Sequence, residues 1–274
     1  IFKLSQEILN DGTLSLLSVF LIEGIYFYNF TTPEFNVNVC QLPFWYLTVY
    51  YTWKIYNSKK IELYDCILLG AAAAFGILSK YLFIYLLVAI DLLFAYLIFF
   101  KKSKKFDFKY LVSLEVFFVI LIPHIIWLFN NDFITIKYGF ARAGLDEGQI
   151  INHFKYPLLF TLKQIGILIP FLILVWLLIK KIPKKLNLKD EKLLFLIFIN
   201  LVPIVLVFMT ALITGSKIRT MWMTPFYLFF GTLFIYLLKN QINIKKLNSF
   251  LIGFIFLFLL SPILYGYVSI SQTD

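Results

Sequence analysis

Apolar runs of about 20 residues, the length a helix needs to cross a bilayer, recur along almost the whole chain, and most of the charge lies in the short segments between them. Charged residues make up only 15% of the sequence and hydrophobic ones 61%, whereas about a quarter of a soluble domain is charged. A backbone in hydrocarbon must satisfy its own N–H and C=O groups, so the candidates are helices and closed barrels. The runs lack the period-two alternation of a membrane strand. The sequence therefore predicts an all-α, polytopic transmembrane helix bundle forming one domain over 1–274, with about nine spans of near-bilayer length at 13–30, 39–56, 63–79, 82–100, 111–129, 157–179, 193–214, 221–238 and 250–270.

The formal charge of +10 does not point to nucleic acid, because the lysines cluster directly after apolar runs, as in Lys101-Lys102-Ser103-Lys104-Lys105. Segments 57–65, 101–109, 180–192 and 239–246 hold 16 Lys and Arg, against 6 in 31–38, 80, 130–156 and 215–220. Under the positive-inside rule the first set is cytoplasmic. The second set, on the outer face, is where chemistry is sought. Cys40 and Cys66 form neither a disulfide framework nor a metal-ligand spacing and read as packing residues. No phosphate-loop, nucleophile-elbow or zincin motif is present.

Glu34 follows Pro33 in the first outer turn, where a carboxylate stays hydrated close to the membrane; it fits a cation, a sugar hydroxyl or plain solvent, with Asn36, Asn38 and Gln41 adding hydrogen-bonding capacity. Lys80 stands alone between two apolar runs. Such a cation either snorkels or holds an anion such as phosphate. His124 follows Pro123, a helix-kinking residue, and leads through Trp127 and Phe129 to Asp132. The long outer loop carries Lys137, Tyr138, Arg142, Asp146, Glu147, His153 and Lys155. Arg142 offers the fork that suits phosphate oxygens, although a solvated surface helix accounts equally well for any one of these residues. Lys217 and Arg219 precede Trp222 at the last outer junction and suit an anionic head group or simple anchoring. Within the runs, Asp91 is expected to pair or to line the bundle interior, and Lys163 and Gln164 to face protein or a cavity.

The order of Pro33-Glu34-Phe35-Asn36-Val37-Asn38, Leu78-Ser79-Lys80-Tyr81, Pro123-His124 through Asp132-Phe133, Tyr138 with Arg142, and Trp222 with Pro225 resembles the membrane glycosyltransferases related to protein O-mannosyltransferases and the lipid A aminoarabinose transferase. The resemblance covers roughly 30–230 and implies a GT-C-like membrane domain in the bacterial inner (plasma) membrane with an extracytoplasmic active face. It implies transfer of a sugar from a polyprenyl-phosphate donor to an envelope acceptor, whether lipid, glycan or protein. Glu34 stands where many relatives have an acid after proline, and is expected to be an auxiliary catalytic acid. Lys80 matches a recurring lysine of the family. His124, Asp132, Tyr138, Arg142, Lys217 and Arg219 complete the expected substrate-binding set. Some relatives use divalent ions, yet no ligand cluster is visible in this sequence.

The family's principal Asp lies in a first outer loop that nothing upstream of 13–30 supplies, so the chain is expected to be a fragment lacking that loop and its helix. The competing expectation is a non-enzymatic polyprenyl-phosphate or lipid-linked sugar carrier that uses the same outer cations. The scarcity of polar residues along the spans argues against a wide transport route.

Overall fold

A computed structural model describes residues 1–144, 148–179, 189–243 and 246–271. The described chain is helical, with no strand beyond an isolated bridge between Ile179 and Ile242. Eleven α-helices are described: α1 Phe2–Leu9, α2 Gly12–Leu21, α3 Val37–Asn57, α4 Leu63–Ser79, α5 Ile84–Ala95, α6 Lys109–Asn130, α7 Ile134–Arg142, α8 Asn152–Leu178, α9 Glu191–Thr214, α10 Phe230–Leu238 and α11 Leu247–Ser271.

Every one of the nine expected segments is helical in part or throughout, but fewer qualify as spans. Five are long and apolar enough: Tyr81–Phe100, which contains α5, then α6, α8, α9 and α11. A sixth arises if Thr220–Tyr227 and Phe230–Gln241, bent by 51° at their junction, count as one broken span. The other three fall short for separate reasons. The 13–30 run stops being α-helical at Leu21 and continues as turns of 3-10 helix. In α3 there are 21 residues, but Asn, Gln, Thr, Tyr and Trp dilute their apolar character. In α4 there are only 17 residues.

By internal contacts the chain divides into two compact units. The first comprises Ile1–Phe35, Leu162–Asn200 and Phe226–Asp274. Small side chains hold α1, α2 and α10 close: Ser5 Oγ meets Thr232 Oγ1 at 2.6 Å, and Ser18 Oγ donates to Ser5 Oγ at 3.0 Å. Gly231 lies against the Ser18 carbonyl, so closely that a Cβ would overlap it. Close backbone approach over small residues is the usual packing mode where lipid removes the hydrophobic drive between helices.

The second unit comprises Asn36–Thr161 and Leu201–Pro225. Successive helices α3 to α6 run up and down, so their ends gather at two levels. At one level lie the basic connections 57–62 and 101–108. There Lys54 pairs with Asp65 at 2.8 Å, Lys109 Nζ donates to the Ile61 carbonyl at 2.7 Å, and Cys66 packs with Ile55 and Ile61. Because the Lys54 side chain is 38% exposed, its pairing is partly screened. Asp65→Asn is therefore expected to cost only about 0.5–1 kcal/mol, read as a small drop in thermal midpoint in detergent.

Two acid and base expectations are corrected by helix geometry. Asp91 is exposed, not turned inward: the buried face of its helix is Leu86, Ala89, Ile90, Leu93 and Leu97, and Asp91 projects from the opposite side. Lys163 is exposed too, while its neighbour Gln164 is buried and accepts from Tyr227 at 2.6 Å. Adjacent helical residues point about 100° apart, so only one of this pair faces protein.

Candidate functional site

The other level of the second unit begins at the start of α3. Asn36 caps the helix, its Oδ1 accepting from Asn38 N at 2.9 Å and from Asn38 Nδ2 at 2.9 Å. The second bond fixes the Asn38 carboxamide, leaving its Oδ1 to accept from Lys80 Nζ. Lys80 belongs to a tight turn: α4 ends at Ser79, Lys80 N donates to Gly76 O at 3.1 Å, and Phe83 N donates to Lys80 O at 3.0 Å. The turn can be this tight because Gly76 lets the Phe83 ring lie directly on α4, where a Cβ would collide with it. On its other side Phe83 meets Trp45 of α3 edge-on, with ring centroids 5.4 Å apart.

The Lys80 ammonium stands 5.1 Å from the centroid of the Trp222 ring. This is a cation–π geometry. Among the described residues no carboxylate pairs with it. The site thus presents a half-buried cation whose neighbours are a neutral amide, an aromatic face and a second cation, Arg142. Burial first, and the Arg142 charge second, lower the Lys80 pKa to about 7. An arriving anion favours the charged form and so raises the pKa again.

Next along the chain, Tyr81 joins three elements. Its hydroxyl lies 2.8 Å from His124 Nε2 on α6 and 2.7 Å from Thr135 Oγ1 on α7. His124 also stacks on Trp127, with centroids 5.8 Å apart. The first part of the 130–156 segment is therefore structured: the turn at Asp132 and Phe133, both at positive φ, leads into α7, which buries no side chain. Arg142 donates from Nη1 to the Tyr138 hydroxyl, and its guanidinium lies 5.7 Å from that ring centroid. Lys217 N donates to Ala143 O at 2.8 Å, which ties the stretch after α9 to the end of α7. His153 Nδ1 lies 3.0 Å from Leu212 O and holds the start of α8 to the end of α9.

Of the expected substrate-binding residues, Lys80 feels the charge of Arg142, which Tyr138 holds, and His124 meets Tyr81, the residue that follows Lys80. The Lys217 and Arg219 side chains are exposed on the 215–220 stretch, linked to the end of α7 through backbone. Asp132 is exposed in its turn. Glu34, in the first unit, is an exposed carboxylate whose backbone N donates to Thr31 O at 3.0 Å. Asp146 and Glu147 lie outside the described residues. Among the described residues no three His, Cys, Asp or Glu side chains gather in a way that could hold a metal ion.

Sequence reasoning left Tyr81, Thr135 and Trp222 without roles at this site. Trp222 had a signal, being an interfacial aromatic beside two cations. Tyr81 and Thr135 had none, because their pairing joins residues 54 positions apart.

Residues 1–127 match the family model for dolichyl-phosphate-mannose-protein mannosyltransferases, a family of membrane glycosyltransferases of the GT-C type that uses lipid-linked sugar donors. The matched stretch contains Glu34, Asn38, Lys80, Tyr81 and His124, and ends before α7 with Tyr138 and Arg142. No curated protein and no solved structure matches the chain.

Proposed function

We propose that the protein moves a sugar from a polyprenyl-phosphate carrier to an acceptor of the cell envelope on the extracytoplasmic face of a bacterial inner membrane. The observation that carries this reading is Lys80: a half-buried ammonium, held by Asn38 and Trp222 beside Arg142, with no carboxylate to neutralise it among the described residues. Such a group is matched to an anion arriving from outside, and the matched family uses lipid-linked sugar donors.

In the transfer, the acceptor hydroxyl oxygen forms a bond to the anomeric carbon as the bond from that carbon to the phosphate oxygen breaks. The electron pair leaves with the phosphate, which changes from a singly charged diester to a more highly charged monoester. The hydroxyl proton passes to a carboxylate base. Negative charge therefore grows on the phosphate during the step, and cations placed there stabilise the transition state more than the ground state. Lys80 and Arg142 serve that role, with Tyr138 orienting the Arg142 guanidinium. Tyr81 and His124 anchor α7, and so Arg142, to the Lys80 turn. Glu34 is the auxiliary acid.

The test is transfer of labelled sugar to envelope acceptors by membranes carrying the full-length protein. Arg142→Ala is expected to lower the rate by about a hundredfold, a typical cost for removing one preorganised stabiliser of a developing anion. Glu34→Gln is expected to reduce transfer while leaving donor binding intact. Wild-type rates in Arg142→Ala, Glu34→Gln and Lys80→Ala together would defeat the assignment, and translocation of the sugar lipid without any new glycosidic bond would establish the carrier instead.

A further inference from the structure

Below the Lys80–Asn38 contact, α3 carries a buried polar side chain that is left unpaired among the described residues. Gln41 is fully buried, and neither its Nε2 nor its Oε1 has a hydrogen-bond partner among the described residues. A buried carboxamide left unpaired is costly, and native structures pair nearly all such groups.

Its position follows from the helix. At about 100° per residue, Asn38, Gln41, Trp45 and Thr48 fall within about 80° of arc on one face. Asn38, one turn toward the start of α3, accepts from Lys80. Trp45, one turn further in, packs on Phe83. Lys80 and Phe83 are the two ends of a single turn of chain. Gln41 lies between these two contacts on the same face of α3, one turn below the Asn38 that holds Lys80. Thr48, also fully buried and with a hydroxyl that has no partner among the described residues, continues the face inward. Another buried hydroxyl with no partner among the described residues, that of Ser216, lies in the stretch that leads to Trp222.

We infer that Gln41 is the sugar-reading residue of a subsite beneath Lys80, where its carboxamide takes hydroxyl groups of the carbohydrate whose phosphate Lys80 holds. A carboxamide offers two donors and an acceptor, which complements adjacent sugar hydroxyls, each able to donate and accept. A charged side chain would suit phosphate instead, and Lys80 already supplies it one turn away. The inference rests on the proposed transferase reading and deepens it: Lys80 recognises the phosphate common to all donors, and Gln41 distinguishes the sugar.

Binding of a bare polyprenyl phosphate and of its mannosyl, glucosyl, galactosyl and arabinosyl phosphodiesters to the purified chain in nanodiscs, with thermal midpoints measured without ligand, tests this. Wild type is expected to prefer one sugar diester over the others. Gln41→Met and Gln41→Leu, apolar and of similar volume, are expected to weaken the preferred diester about tenfold. They should leave the bare phosphate unchanged and the midpoint equal or higher, since an unpaired buried amide has been removed.

Retention of the preference in both variants overturns the subsite while leaving the phosphate reading standing. So does equal binding of every diester by wild type, or a fall in the midpoint of both variants, which would mark the amide as a structural group. If wild type binds neither phosphate nor diester, the transferase reading falls, and the subsite with it.

Discussion

Affinity for a polyprenyl-phosphate sugar is expected to fall by about tenfold for each pH unit above 7, and to be flat just below it. Lys80 loses its proton at about pH 7 in the free protein, because burial and then Arg142 disfavour its charge. A bound phosphodiester, which stays singly negative throughout this range, favours the charged form and so raises the Lys80 pKa. Below pH 7 the ammonium is protonated before and after binding, and pH has no effect through this group. Above pH 7 binding must take up a proton, so log K declines with a slope of minus one until the pKa of the bound state is reached. Between pH 7 and 9 the loss amounts to about fiftyfold.

Titration calorimetry in buffers of different ionisation enthalpy checks both the slope and the proton uptake. Lys80→Arg keeps a cation that does not titrate, and so is expected to bind with a flat profile. Any slope that survives it belongs to another group. Lys80→Met is expected to bind weakly at every pH. Arg142→Ala removes one of the two depressing influences and should move the break to higher pH. A wild-type profile flat from pH 6 to 9 would show that Lys80 does not carry the anion.

Lys80 was legible in the sequence for a simple reason: a single charge between two apolar runs has few places to go. Helical segments were equally legible, since all nine apolar runs are helical at least in part. Whether each run crosses a bilayer depended on features hydrophobicity does not report. The run at 13–30 changes from α to 3-10 geometry after Leu21, and the run at 221–238 bends sharply between Tyr227 and Phe230.

Sidedness along a helix was legible only where the neighbouring helix was known. Asp91 and Lys163 looked equally entitled to a buried position, yet both lie on the outward face of their helices while Gln164 faces in. The candidate site was harder still, because its connections are tertiary. Asn38 meets Lys80 across 42 residues and Tyr81 meets His124 across 43. The composition of the 36–41 stretch suggested hydrogen bonding, but only the folded chain separates Asn38, satisfied by Asn36 and Lys80, from Gln41, which has no partner among the described residues.

The largest expected loss of stability comes from Gly231, outside the candidate site. Substitution by Ala or Leu at this position in α10 would drive a Cβ into the carbonyl oxygen of Ser18 on α2. A clash with a flexible side chain can be relieved by a change of rotamer, but a clash with backbone moves a helix. The helices it would part are those joined by Ser5, Ser18 and Thr232, so the hydrogen bonds among these hydroxyls would stretch together. Overpacking in a well-packed interior costs about 1–3 kcal/mol, occasionally more. Backbone as the opposing surface puts Gly231→Ala at about 3 kcal/mol, with Gly231→Leu expected to abolish the folded unit. The control is Gly166→Ala: a Cβ there meets nothing within 4 Å, so the change should be neutral or stabilise the helix by about 1 kcal/mol. Denaturant or thermal titration of both variants in the same detergent separates the cases. Equal midpoints for Gly231→Ala and Gly166→Ala would mean that α2 and α10 do not pack through Gly231.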